Sequence, residues 1–295
     1  MSKNRKIFAL GFFDGVHLGH QALLRRGVSL ASQMDAQAAA ITFLRHPQAL
    51  FLEKPPLLLT TDGDRDILLR RYGIGPIYKF PVTKEVMSTP WEKFLDELLA
   101  DGAAGFVCGS DYRFGYRGEG TAEKLKDYCL SHGLSCAVVG DRELDGIRIS
   151  STHIRSLLET GDLEEANRFL GHPHVLTGQV VSGRKIGRTI GVPTANLQLP
   201  EEAVMLPHGV YACKAIVEGR EYLAVTNVGN RPTVGGHRVT VEPWLLDFDG
   251  DLYGKPITLL FYTFLRPERK FDSLEELKVE IQKNALQTRK IFEKT

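Results

Sequence analysis

Two histidines three residues apart, His17 and His20, lie in the run Gly11-Phe-Phe-Asp-Gly-Val-His-Leu-Gly-His20. Imidazoles there can donate hydrogen bonds to phosphoryl oxygens as charge builds on them. Gly11, Asp14 and Gly19 of the same run are candidate ATP phosphate-binding residues; Asp14-Gly15 is a turn pair, and Gly19 lets backbone come close to a ligand. A second run, Ile149-Ser-Ser-Thr-His-Ile-Arg155, groups the hydroxyls of Ser151 and Thr152 with the forked cation of Arg155. Such a set suits the outer phosphates of a nucleoside triphosphate. Held from two sides, a triphosphate is open to in-line attack, a reaction that needs placement and charge neutralisation more than a covalent nucleophile. Between the two runs, Tyr112 and Phe114 can stack on a ring, and Asp111 can bond to a heterocycle or a ribose.

The second half of the chain has its own candidates. From Gly178 to Asn196, four glycines, three basic residues and a Thr-x-Asn fall within 19 positions. Gly183 and Gly187 permit amides to wrap phosphate, Arg188 adds charge, and Thr194 with Asn196 can hold a magnesium ion bridging phosphates. Glu242, in a strand-like stretch, can take a proton from an attacking hydroxyl. Asn227–Thr233 is turn-rich and can line the same site. Each motif also has a plainer reading: helix-start histidines, a helix cap at Ser151, a turn at Asp111, a surface carboxylate at Glu242. The glycine-rich run lacks the Gly-Lys-Ser/Thr ending of a phosphate-binding P-loop and also reads as a β-hairpin. The remaining histidines show no metal-ligand spacing, so no zinc site is expected.

These residues need elements to hold them. Ile7–Leu10 reads as a buried strand and the stretch from Gln21 to Met34 as a helix, which puts His17 and His20 where a strand passes into a helix. Free amides and the positive end of the helix dipole gather there. Ala38–Phe43, Gly105–Cys108 and Cys136–Val139 are further strands, with helices predicted over Trp91–Leu99 and Thr121–His132. A fourth helix begins in the run Ile149–Arg155, with Ser150 or Ser151 as its N-cap. Repeated β–α order implies a parallel sheet with helices on both faces. After about residue 172 the character changes. Segments at 177–182, 210–217, 222–227, 239–248 and 257–264 are β-rich and divided by Gly, Pro and Asn, as in an antiparallel barrel or sandwich. Pro243 implies an edge or a bulge. A final helix spans roughly Ser273–Phe292. The join is placed near Gly171–His174, giving domains 1–172 and 173–295.

The 295 residues suit two domains. With 43% hydrophobic and 25% charged residues and a net charge of +1, the composition carries no polyanion bias, and no nucleic-acid partner is expected. No apolar run approaches the roughly 20 residues of a membrane helix, so no membrane partner is expected. The apolar stretch after Lys3, Arg5 and Lys6 is broken at Asp14, too short for a signal peptide. Four cysteines without a CxxC pair are expected to be reduced thiols in the cytoplasm. Oligomeric state is not legible.

Taken in order, Gly11–His20, Thr42–Pro47, Gly109–Gly115, Ser150–Arg155, Gly183–Asn196, Asn227–Thr233, Glu242–Phe248, Asp251–Gly254 and Phe271–Leu277 resemble the motifs of the bacterial bifunctional riboflavin kinase/FAD synthetases over essentially the whole chain. The resemblance implies an N-terminal Rossmann-like nucleotidyltransferase domain that adenylylates FMN to FAD. It implies a C-terminal six-stranded antiparallel β-barrel that phosphorylates riboflavin to FMN. Both would use ATP and magnesium. Carried over, His17 and His20 stabilise the α- and β-phosphates, Ser151, Thr152 and Arg155 contact ATP, and Asp111 falls in the flavin and nucleotide pocket. Thr194 and Asn196 become the magnesium–ATP residues of the kinase, and Glu242 its general base. The chain departs from the pattern at Phe12 (commonly Asn), at Arg45-His46-Pro47 (commonly Pro-His-Pro), at Trp244 (commonly His) and at Asn284 (commonly Asp). The rivals are an enzyme with one of the two sites degenerate and a flavin-binding sensor without catalysis.

Overall fold

The computed structural model describes residues 5–182, 191–233 and 236–293, with backbone alone at 231–233 and 236–238. The chain divides into two compact units, residues 1–58 with 62–151, and residues 59–61 with 152–295.

The first unit is a parallel five-stranded sheet in the order β3-β2-β1-β4-β5. Its strands are β1 (Lys6–Leu10), β2 (Gln37–Phe43), β3 (Ile77–Phe80), β4 (Ala103–Gly109) and β5 (Ser135–Val139). Successive side chains of a strand point to opposite faces, and β1 is buried throughout, so both faces must be covered. Phe8 and Leu10 pack with Leu95 and Leu98 of α4 (Trp91–Ala100) and with Leu125 and Tyr128 of α5 (Ala122–Ser131). The other face receives α1 (Leu18–Gln33): a methyl group added at Gly27 would lie 3.9 Å from both Ala9 and Val107. The strand order grows outward on both sides of the β1–β4 pair. That pair is the topological switch point, and in open α/β sheets ligands bind outside the carboxyl ends of the strands there. The loops leaving β1 and β4 are Gly11–His17 and Ser110–Gly120, the two that carry the candidate residues.

Helix α2 (Asp62–Arg71), strand β3, the short α3 (Lys84–Met87) and a small hairpin, β6 (Glu143–Leu144) with β7 (Ile147–Arg148), complete this unit. Helix α6 (Ser151–Thr160) begins at Ser151, which leaves Ser150 in the capping position.

The second unit is a closed antiparallel barrel in the order β10-β11-β12-β9-β8-β13. The strands are β8 (His174–Val181), β9 (Asn196–Gln198), β10 (Gly209–Val217), β11 (Arg220–Thr233), β12 (Gly236–Leu245) and β13 (Pro256–Arg266). Helix α7 (Leu163–Leu170) is tied to it by Asn167, whose amide donates to the carbonyl of Phe261 at 2.9 Å and accepts from the backbone N–H of His174 at 2.7 Å. The terminal helix α8 (Leu274–Glu293) packs Ala285 on Val210, Val225 and Leu246.

The expectation for Pro243 needs correction. Strand β12 lies inside a closed barrel and keeps an unbroken register with β11, with Thr226 opposite Pro243. Its other neighbour, β9, pairs only at Val241–Leu197, and beyond it the N–H of Ala195 donates to the carbonyl of Pro243 at 2.9 Å. A residue without an N–H is tolerated because the ladder on that side has already ended.

Candidate active sites

In the sheet unit, the turn after β1 is a 3-10 helix, Asp14–Val16, with Asp14 buried. Gly11 packs so closely that a Cβ there would come 2.9 Å from the ring of Phe13. His17 is 7% exposed and caps α1: its Nδ1 accepts from the backbone N–H of His20 at 3.3 Å. A neutral His17 ring therefore carries its proton on Nε2, which makes that atom a donor. The rings of His17 and His20 stack at 3.6 Å and 13°. Burial first, and the adjacent His17 second, hold the pKa of His20 well below the usual histidine range, so at neutral pH it is an uncharged imidazole. A Cβ at Gly19 would sit 3.2 Å from Cε1 and Nδ1 of His17. The absence of a side chain at Gly19 thus gives the catalytic-looking ring its place, a use the sequence reading assigned to a ligand instead.

Ser151 is brought to this turn. Its hydroxyl donates to the carbonyl of Asp14 at 2.9 Å, across 137 residues of sequence. Thr152, exposed, and Arg155, half-buried, follow on α6 and are counted with the second unit.

Tyr112 and Phe114 stack with centroids 5.8 Å apart and line a cavity of ≈ 290 Å³ together with Phe12, Phe43, Phe80 and Phe94. Burial pushes the Tyr112 hydroxyl above its ordinary range. Asp111 is not among the residues lining that cavity. Its carboxylate pairs instead with Arg148 of the β6–β7 hairpin, which also reaches Asp141 at 2.9 Å. The structure therefore gathers the aromatic members of this segment and sends the acidic one to a neighbouring hairpin.

In the barrel unit two cavities meet at one residue. A cavity of ≈ 320 Å³ is lined by Thr194, Asn196, Phe248, Asp251 and Tyr253, among others. A second, of ≈ 360 Å³, is lined by Thr194, Asn227, Glu242, Trp244, Arg266 and Phe271, with neighbours from α8. Thr194 borders both. Glu242 and Asn227 are register partners on β12 and β11, and Asn227 donates to Glu268 at 3.3 Å. In the same wall Arg266 donates through Nε to Asn284 at 3.1 Å and lies over Phe271. Burial, the larger cause, lowers the pKa of Arg266 below its ordinary value, with Glu280 opposing it at 3.5 Å. Gly183, Gly187 and Arg188 lie outside the described residues.

Nothing in the sequence singles out Arg65, which is wholly buried on α2. Set among three aspartates and a glycine in Asp-Gly-Asp-Arg-Asp, it carries the signature of a solvated helix face, and no local signal distinguishes it. Arg266 and Asn284 were also unassigned to a bond; 18 residues apart, they meet only through the fold.

Two family models match the chain: one described as FAD synthetase over residues 1–153, and one described as riboflavin kinase over residues 170–292. A bifunctional riboflavin kinase/FMN adenylyltransferase of Listeria monocytogenes is 36% identical, covering 98% of this chain and 93% of that protein. One from Bacillus subtilis is 35% identical over 98% and 93%. A solved structure described as a macrolide-efflux protein from Streptococcus pneumoniae superposes with a TM-score of 0.85 at 31% identity, covering 98% of this chain and 95% of that one. Among the described residues no helix is long and apolar enough to cross a membrane.

Proposed function

The chain belongs to the family of bifunctional riboflavin kinase/FMN adenylyltransferases, and from that premise we propose how its own residues divide the two reactions. It is a transferase with both activities: one ATP phosphorylates riboflavin to FMN, and another adenylylates FMN to FAD with release of pyrophosphate.

The phosphorylation is assigned to the barrel on one observation, that Thr194 borders both of its cavities. The triphosphate occupies the cavity with Asn196, and riboflavin the one with Glu242 and Trp244. The Glu242 carboxylate takes the proton of the 5′-hydroxyl as its oxygen bonds to the γ-phosphorus and the bond to ADP breaks. Gly183, Gly187 and Arg188 are assigned to the phosphates from sequence alone.

Magnesium is part of the proposal. The Thr194 hydroxyl and the Asn196 amide carbonyl are hard oxygen donors on one cavity wall. Among the described residues no three His, Cys, Asp or Glu side chains converge on a metal position. This donor set fits magnesium carried on nucleotide phosphates, an ion that keeps most of its waters and takes one or two protein oxygens. When bound, it neutralises charge on the phosphate oxygens.

Adenylyl transfer is assigned to the β1–β4 switch point. An FMN phosphate oxygen bonds to the α-phosphorus, and pyrophosphate leaves. His17, through Nε2–H, and neutral His20 stabilise the charge that develops, Gly11, Asp14 and Gly19 of the same turn bind phosphate, and Ser151 holds the outer phosphates, to which Thr152 and Arg155 are assigned from sequence alone. The aromatic cavity with Tyr112 and Phe114 receives the flavin ring, and Asp111, paired with Arg148, is assigned to the flavin and nucleotide pocket from sequence alone. We place the functional division at residues 1–172 and 173–295, while the compact units part at residues 151 and 152. A cytoplasmic location is part of the same reading, supported by four unpaired thiols.

Chromatography of products tests this. Riboflavin with magnesium–ATP gives FMN and FAD, and FMN with magnesium–ATP gives FAD. Production of FMN alone, or of neither, would overturn the reading.

A further inference from the structure

We infer that Arg65 is a positioning residue for the flavin acceptor of adenylyl transfer: its guanidinium fixes the ring of Phe12 as a wall of the aromatic cavity. The inference rests on the reading of that cavity as the flavin site.

Arg65 is the largest fully buried side chain among the described residues, with no surface exposed. Its Nη2 donates to the carbonyl of Phe43 at 2.7 Å and to Oδ1 of Asp62 at 2.8 Å. Nε and Nη1 are buried and have no hydrogen-bond partner. A charged fork with part of its donor set unused is costly to bury, and an apolar side chain would fill the space without that cost. The carboxylates of Asp62, Asp14 and Asp66 favour its charge from nearby, and what its flat face meets is the ring of Phe12, with Cζ 4.8 Å from the centroid. The face of an aromatic ring is electron-rich, and it attracts a flat cation that burial has stripped of water.

The contact fixes something useful. Phe12 follows Gly11 at the carboxyl end of β1, two residues before Asp14. Its carbonyl accepts from Thr42 Oγ1 at 2.8 Å, and the edge of the His46 ring stands 5.1 Å from its ring. The ring is thus held by cation and imidazole while it lines the cavity with Tyr112 and Phe114. The other wall residue touched by Arg65, Phe43, is held through its backbone. One guanidinium therefore sets the separation of two walls, Phe12 from β1 and Phe43 from β2. A planar apolar ring placed in that space depends on the separation, whereas the triphosphate is assigned to the His17 turn.

The test uses the full chain and measures FAD formation with FMN varied at saturating magnesium–ATP, then the reverse. Riboflavin phosphorylation in the same preparations reports that the protein is folded. Arg65→Met and Phe12→Leu are each expected to raise the KM for FMN about tenfold, with the KM for ATP unchanged, kcat less affected, and the double variant no worse than either single one. Arg65→Lys keeps the charge without the flat fork and is expected to behave like Arg65→Met. An unchanged KM for FMN, additive effects in the double variant, or full activity of Arg65→Lys would overturn the inference. So would a rise in the KM for ATP with a fall in kcat, which would mean that the unused N–H groups serve the nucleotide. If Arg65→Met does not fold, Phe12→Leu at its half-buried site decides alone. Tyr112→Ala separates the two levels. If it leaves the KM for FMN unchanged, the flavin-site reading fails; if it raises that KM and the Arg65 and Phe12 variants do not, only the role of Arg65 fails.

Discussion

Replacing His17 by alanine removes two things at once, and the structure lets them be separated. The first is the helix cap: Nδ1 accepts from the N–H of His20 at 3.3 Å, and losing a capping acceptor costs about 1 kcal/mol. For a unit of this size that lowers the unfolding midpoint by about 2–4 °C. The second is the Nε2–H donor. Removing one donor aimed at developing charge slows a reaction by about 10²–10³. The ring stacked at 3.6 Å on His20 also goes, which exposes His20 and relieves the pressure that holds it neutral. Asparagine is a strong capping residue, but its side chain ends short of where Nε2 lies. His17→Asn should therefore recover most of the lost stability and little of the lost adenylyl transfer. Thermal unfolding and FAD formation from FMN, measured on wild type and both variants, read the two effects independently. Riboflavin phosphorylation should hold near wild type in both. Recovery of FAD formation in His17→Asn along with stability would reduce His17 to a cap and refute its chemical role.

Three further expectations follow from the same geometry. Glu242→Gln should cut FMN formation by about 10²–10⁴ while FAD formation from supplied FMN persists, as product chromatography will show; equal loss of both would remove the base from the barrel. Chelation of magnesium should stop both reactions and its return restore them, whereas phosphorylation that survives chelation would contradict the assignment of Thr194 and Asn196. His174 is buried in the barrel, and burial first and His172 second lower its pKa to about 3 from 6.5. Between those values the unfolded chain binds one more proton, so this residue's share of stability is intact above pH 6.5 and falls by about 1.4 kcal/mol per pH unit below it. Denaturant unfolding across that range should show His174→Gln with a shallower slope than wild type, and equal slopes would exclude the residue as the cause.

Much of this architecture could be read in advance because the physics is local. Ile7–Leu10 is an uninterrupted apolar run ahead of a turn pair, and a buried parallel strand is what such a run makes. Helix α1 announced itself by apolar spacing, and the terminal helix by a capping serine, Ser273, with Glu275 and Glu276 in its first turn. Strand β11 was harder. Its sequence ends in Gly229-Asn230-Arg231-Pro232, which locally favours a turn, yet the ladder with β12 continues from Ala224 to Thr233; barrel closure outweighed local preference. Helix α2 was missed because Asp62-Gly63-Asp64 imitates a loop. At the candidate sites, the local motif singled out His17 and His20, whose rings stack, and the stacked pair Tyr112 and Phe114. It did not find the bond from Ser151 to Asp14, the capture of Asp111 by Arg148, or the burial of Arg65. Each joins residues 30 or more apart in sequence or depends on what the whole sheet covers, and no window of residues contains that information. The roles of Thr194, Asn196 and Glu242 were legible from residue type and agreed with the resemblance, while the fold supplied the meeting of two cavities at Thr194.

ATP labelled separately at its α- and γ-phosphorus, supplied with riboflavin and magnesium, tests most directly whether two distinct pockets act in turn. The account predicts FMN carrying only the γ label and FAD carrying both. It predicts that Glu242→Gln makes neither from riboflavin but makes α-labelled FAD from unlabelled FMN, and that His17→Ala accumulates γ-labelled FMN. Loss of both products in a folded single variant, or FAD lacking either label in the wild type, would contradict it.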